Sequence, residues 1–211
     1  MNIITNTDTI PYVIAEDYFE EEQVQKMLSE LSMIQHKSEF SLPKNMKRSY
    51  KKNKSVSVDH VWSDRDCSPV LTNMDSIYHD SILINEIKNT NYVFNGWYST
   101  NSDRTFATFN KKGDYYKPHF DISQYTLMYY LWEEPKPFEG GDIILSTTKQ
   151  KDDWSVKISI KRNMLVVFPS PVYHEVTPLT EGEGRMAVIR FIYMIPDPNP
   201  LPEIRIESDE G

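Results

Sequence analysis

Tyr115-Tyr116-Lys117-Pro118-His119-Phe120-Asp121 is the stretch on which the reading of the whole chain turns. Its aromatic residues predict an extended segment, and in an extended segment residues two apart share a face. His119 and Asp121 then point the same way, so one imidazole nitrogen and one carboxylate oxygen can reach a single ion. Working outward, a second imidazole arrives at His174, in Phe168-Pro169-Ser170-Pro171-Val172-Tyr173-His174, just after the apolar run Met164-Leu165-Val166-Val167-Phe168.

Two histidines and one carboxylate on one face of a metal leave three positions open, the ligand set associated with non-haem Fe(II) oxygenases. The sequence around them is strand-like. Segments 104–110, 115–120, 126–132, 142–146, 155–160, 164–168, 173–177 and 185–194 are short, aromatic and β-branched. Turn material such as Lys111-Lys112-Gly113-Asp114, Gly140-Gly141 and Lys161-Arg162-Asn163 separates them. Many short strands without intervening helices predict a mainly β fold of jelly-roll, cupin-like type, a double-stranded β-helix with N-terminal helices flanking it.

Those helices are read from the first ninety residues. Val24, Met27, Leu28, Leu31 and Ile34 recur at helical steps from a start near Glu20, after a short strand at 10–15. Ser68-Pro69 marks a second helix start, with serine as cap and proline in the first turn. Val70, Met74, Ile77 and Tyr78 form its apolar face, and 82–87 reads as a further helical stretch. Residues 92–98 read as a strand. Segment 37–54 carries seven basic residues against Glu39 and reads as a solvated loop or as a mobile, substrate-contacting flap. The whole is expected to be a single domain, 1–211: a helical buttress at 1–98, the β-helix core at 99–195 and an acidic tail at 196–211.

Composition narrows the function classes. Basic residues number 23 against 31 acidic, a formal charge of −8, so no general attraction to nucleic acid or anionic membrane is expected. A single cysteine, Cys67, excludes an intrachain disulfide and fits a reducing, cytoplasmic setting. No signal segment or membrane span is expected.

Five features occur in a fixed order: Gly113-Asp114-Tyr115-Tyr116-Lys117-Pro118-His119-Phe120-Asp121, Met128-Tyr129-Tyr130-Leu131, Phe138-Glu139-Gly140-Gly141-Asp142-Ile143, Phe168-Pro169 with His174-Glu175-Val176-Thr177-Pro178, and Gly184-Arg185-Met186-Ala187-Val188. In this combination the chain resembles the prolyl 4-hydroxylase-like branch of the Fe(II)/2-oxoglutarate dioxygenases, closely over 104–194. The resemblance implies iron ligation by His119, Asp121 and His174, and Fe(II), 2-oxoglutarate and O2 as cofactors, with ascorbate as an optional addition. It implies that Arg185, eleven positions after His174, anchors the 2-oxoglutarate C5 carboxylate, a role suited to its planar fork. It also places Tyr130 on that carboxylate. Family members commonly carry a tyrosine near position 109, where this chain has Phe109.

A full triad implies hydroxylation, because related halogenases replace the carboxylate with a small residue. The leading substrate is a prolyl residue in a peptide or protein. Another protein side chain, a free amino acid, nucleic acid, or metal binding by a cupin-like sheet without catalysis are the alternatives. Tyr115, Tyr116 and Trp132 read as sheet packing, Gly140-Gly141 as a positive-φ turn, Arg190 as a structural or substrate-facing residue on the other face of Arg185's strand, and His36, His60 and His79 as surface histidines.

Overall fold

Alternation along the strands decides how this chain layers. In the stretch Tyr125–Leu131 every residue is buried, so the strand must be covered on both faces. Leu127, Tyr129 and Leu131 join a core shared with the N-terminal helices, whereas Met128 and Tyr130 join a core between two sheets. The result is three layers: helices, a large sheet, a small sheet.

The structure is a computed structural model that describes residues 1–36, 51–62, 64–150 and 154–195. In chain order the elements are β1 (Asn2–Asn6), β2 (Tyr12–Glu16), α1 (Glu21–Gln35), β3 (Lys51–Lys52), β4 (Lys54–Ser57), α2 (Pro69–Ser76) and α3 (Ser81–Thr90). There follow β5 (Ser102–Lys111), β6 (Tyr115–His119), β7 (Tyr125–Leu131), β8 (Phe138–Gly140), β9 (Ile143–Ser146), β10 (Val156–Ile158), β11 (Met164–Pro169), β12 (Tyr173–Val176) and β13 (Leu179–Tyr193). The large sheet runs β1-β2-β11-β7-β13-β5-β4, with β8 on β13; the small sheet runs β10-β9-β12-β6-β3. All the pairings are antiparallel. This is the expected double-sheet fold. Its helical layer lies on the outer face of the large sheet.

The helices follow from their sequence signals. In α1, Val24, Met27, Leu28, Leu31 and Ile34 are fully buried, and the Glu20 N–H donates to Gln23 Oε1 at 3.0 Å, closing the first turn. Ser68 caps α2, its Oγ accepting from Leu71 N at 3.0 Å with Pro69 in the first turn. Asp80 caps α3 by accepting from Ile82 N and Leu83 N. No helix among the described residues is long and apolar enough to cross a membrane.

Two expectations need correction and two fall partly outside the described residues. Tyr92–Ser99 is not a strand but a 3-10 stretch capped by the Asn91 side chain. Its buried residues are Phe94 and Trp97, three apart, while Tyr92 and Tyr98 are exposed; that is the helical spacing, masked in the sequence by a high aromatic content. The end of the basic run forms β3 and β4 rather than a loop: Lys51 and Lys52 pair with Tyr116 and Tyr115, and β4 pairs with β5. Residues 37–50 and the tail from 196 lie outside the described residues.

Candidate active site

His119 ends β6 and His174 sits on β12, and the two are direct cross-strand partners in the small sheet. Their rings lie 4.1 Å apart. Asp121 stands just beyond the end of β6, where its N–H donates to the Ser170 carbonyl at 3.0 Å. Its Oδ1 lies 3.8 Å from His119 Nε2 and its Oδ2 lies 3.3 Å from His174 Nε2. One ligand atom from each of the three falls within 4.8 Å of the others. Spacing brings His119 and Asp121 together as expected, though only His119 belongs to the strand.

Two backbone carbonyls set the tautomers. His119 Nδ1 lies 2.8 Å from the Lys117 carbonyl and His174 Nδ1 lies 3.1 Å from the Val172 carbonyl. A carbonyl only accepts, so each Nδ1 carries the hydrogen and each Nε2 presents a lone pair to the centre. Burial pushes the His174 imidazole down to about 4, keeping it neutral and ready to ligate at neutral pH. Two imidazole lone pairs and a carboxylate, converging on one point, fit an iron of the two-histidine, one-carboxylate kind.

Arg185 is aimed by a bulge. The pairing of β13 with β5 slips between Glu183 and Arg185, and Gly184 there has φ +92°. Such an inserted residue re-aims the side chain that follows. Arg185 is 1 % exposed. Its Nε donates to the Gly141 carbonyl at 2.9 Å and its Nη1 to Asn110 Oδ1 at 3.1 Å, both neutral partners. Nη2 has no hydrogen-bond partner among the described residues. Gly141 is required by contact: at φ +75°, a Cβ would meet Arg185 Cδ at 2.7 Å. An orphaned buried guanidinium nitrogen fits a carboxylate ligand.

Tyr130 lies one step behind. It is fully buried, its ring centroid is 5.1 Å from Arg185 Cζ, and its hydroxyl donates to Met128 Sδ at 3.5 Å. Burial pushes the phenol up to about 12, with Arg185 pulling the other way. The neighbouring Tyr129 faces the helices, donating to Asn163 Oδ1 at 2.9 Å.

A cavity of about 180 Å³ joins the triad to Arg185, with Phe106, Thr108, Met128, Ile189 and Phe191 among its walls. Tyr116 also lines it, stacked on His119 with ring centroids 3.5 Å apart, so the expectation of sheet packing for Tyr116 is corrected. The cause is a second bulge: two steps along β12, from His174 to Val176, span three steps along β6, from His119 back to Tyr116. Pro118, which offers no N–H to a ladder, lies within it. Phe109 packs toward the helical core, and Phe106, Thr108 and Asn110 are the β5 residues that face the site. Arg190 faces away, pairing with Asp75 at 2.6 Å and Asp103 at 3.1 Å. His36, His60 and His79 are exposed.

Residues 105–193, the strands that carry every one of these site residues, match the 2OG-Fe(II) oxygenase superfamily. The matched segment makes up less than half of the chain. A PKHD-type hydroxylase of Nitrosomonas eutropha is 33% identical over 66 residues, which are 31% of this chain and 27% of that relative. The chain thus matches well under two thirds of the relative's length. Among solved structures, a prolyl-4-hydroxylase of Pseudomonas putida superposes with a TM-score of 0.63 at 17% identity, covering 89% of this chain and 94% of its own. A prolyl hydroxylase of Trichoplax adhaerens, in complex with a peptide of a hypoxia-inducible factor, gives 0.62 at 16%, covering 88% and 84%. These likenesses show that the chain shares the fold of those structures.

Proposed function

We propose that this chain is an Fe(II)- and 2-oxoglutarate-dependent hydroxylase whose substrate is a prolyl residue in a peptide or protein. The observation that carries the reading is Arg185, a buried cation whose hydrogen-bond partners are neutral, lining the same cavity as His119, Asp121 and His174. A dicarboxylate fits between them: its far carboxylate on the guanidinium, its keto-acid end at the metal. The three ligands would hold Fe(II). When bound, the metal supplies the activation of O2 that no side chain can perform. In the balanced reaction one oxygen atom of O2 enters a substrate C–H bond as hydroxyl, the other enters succinate, and 2-oxoglutarate loses CO2.

The chain's own residues orient and exclude. Asn110 and the Gly141 carbonyl fix the guanidinium before the ligand arrives, which lowers the cost of binding. Phe106, Ile189 and Phe191 make the wall apolar and keep water from the reacting centre. An uncharged pyrrolidine ring suits such a wall, and the names of the hydroxylase relatives support proline as the target. The test is succinate formation from 2-oxoglutarate with Fe(II), comparing proline-containing peptides with the same peptides carrying alanine. Turnover and hydroxylated product with the proline set alone are expected. Stimulation by oligonucleotides or free amino acids instead would move the substrate, and failure to bind 2-oxoglutarate would overturn the reading.

A further inference from the structure

Behind Asp121 runs a buried line of hydroxyls to which the proposed reaction gives no role. Thr126 Oγ1, on β7, lies 2.8 Å from Asp121 Oδ2; Ser170 Oγ, just past β11, lies 2.9 Å from Thr126 Oγ1; Ser123 Oγ lies 2.7 Å from Ser170 Oγ. Thr126 and Ser170 are fully buried and Ser123 is 7 % exposed.

The direction of the hydrogens follows from valence. An ionised carboxylate only accepts, so the Thr126 hydroxyl donates to Asp121. Having one hydrogen, Thr126 must then accept from Ser170, and Ser170 from Ser123. All the donors point toward the carboxylate. In a buried setting such hydroxyls polarise one another and strengthen the last bond. Ser170 adds a second hold, since its carbonyl accepts the Asp121 N–H. These holds matter because the β6 ladder stops at His119 and leaves Asp121 outside the sheet.

We propose that Thr126, backed by Ser170 and Ser123, is the positioning residue of the metal centre. By engaging Asp121 Oδ2 it makes the carboxylate meet the ion through one oxygen. Chelation through both oxygens would fill one of the three positions that the co-substrate and O2 need. The proposal rests on the reading of His119, Asp121 and His174 as metal ligands. A trio that merely satisfied a buried turn would affect stability and leave the ligand set untouched.

The experiment titrates metal-free protein with Co(II) alone, against a competing chelator. It follows affinity and the visible absorption, whose intensity falls as coordination number rises. Thr126→Val is expected to lose about 10- to 100-fold in affinity and to show a weaker Co(II) band. Thr126→Ser should restore both. Ser170→Ala should lie between, and Ser123→Ala, farthest from the carboxylate, should change least. Circular dichroism checks the fold, and Thr126→Ala carries the same expectation should the valine variant not fold. Wild-type affinity and spectrum in a folded Thr126→Val protein would overturn the proposal. Equal losses in all three positions would overturn the one-way line. If the wild type takes up no Co(II), the metal-site reading itself fails, and the relay with it.

Discussion

A guanidinium buried against neutral groups is costly to keep charged, and Arg185 is therefore in a state that a carboxylate ligand improves. Replacing it with alanine should weaken 2-oxoglutarate binding by the worth of a charge-assisted hydrogen bond, ~1.5–3 kcal/mol. That is roughly 10- to 150-fold, readable by calorimetry, with Co(II) affinity little changed. The rise in melting temperature that 2-oxoglutarate gives the wild type should shrink in the variant at the same ligand concentration. His174 makes a prediction about acid. Its folded pKa lies near 4 through burial, below the ordinary 6.5, so the unfolded chain takes the proton first. Stability is complete above about pH 6.5 and is lost as pH falls toward and through about 4, by about 3 kcal/mol at most. Urea midpoints of metal-free protein should drop across that window, and less steeply in His174→Gln. These two residues, with His119 and Asp121, were legible from motif order alone. Tyr116 was not, because the bulge at Pro118 breaks the period-two rule by which faces are assigned from sequence; Thr108 and Asn110 were not, because they belong to none of the motifs.

At the scale of elements, the joint between α1 and α2 rests on one buried acid. Glu30 is 5 % exposed; its Oε1 accepts from Trp62 Nε1 at 2.7 Å and Ser68 Oγ at 2.6 Å, and its Oε2 from Val70 N at 2.7 Å. The same Ser68 hydroxyl caps α2, so the carboxylate holds the cap as well as the helix. Glu30→Ala would leave three donors without an acceptor, and each buried orphan costs ~1–3 kcal/mol. A loss of at least about 3 kcal/mol in urea unfolding is expected, with 2-oxoglutarate affinity unchanged below the transition. An effect under about 1 kcal/mol would mean that water replaces the carboxylate freely. Helical periodicity announces α1 clearly but assigns no role to Glu30. The partners that bury it, Trp62 and Ser68, lie more than thirty residues away. The Tyr92–Ser99 stretch failed for a related reason: its residue types favour strands, and packing of Phe94 and Trp97 against Tyr125 overrides them.

For the molecule as a whole, the question is whether the double-sheet core can stand without the residues before it. Its large sheet has two buried faces. Leu127, Tyr129, Leu165, Val167, Val188 and Ile192 are each fully buried in the core shared with the helices. Exposing side chains of that size costs ~1.5–3 kcal/mol apiece, so uncovering six would offset most or all of a typical net stability of 5–15 kcal/mol. The polar seam points the same way. Arg65, ahead of α2, pairs with Asp59, Asp75 and Asp103, and Arg190 of β13 reaches Asp75 and Asp103 from the sheet. Removing the N-terminal layer would leave Arg190, 4 % exposed in the intact chain, without Asp75. We therefore expect 1–195 to unfold in one cooperative step, and a fragment of 102–195 to be collapsed without fixed packing. It should bind a hydrophobic dye, lack near-ultraviolet dichroism and take up Co(II) weakly. A fragment that melts cooperatively and binds Co(II) as the full chain does would show that the helices are a separable addition. Retention of the β-helix without metal binding would instead make them a support for the site alone.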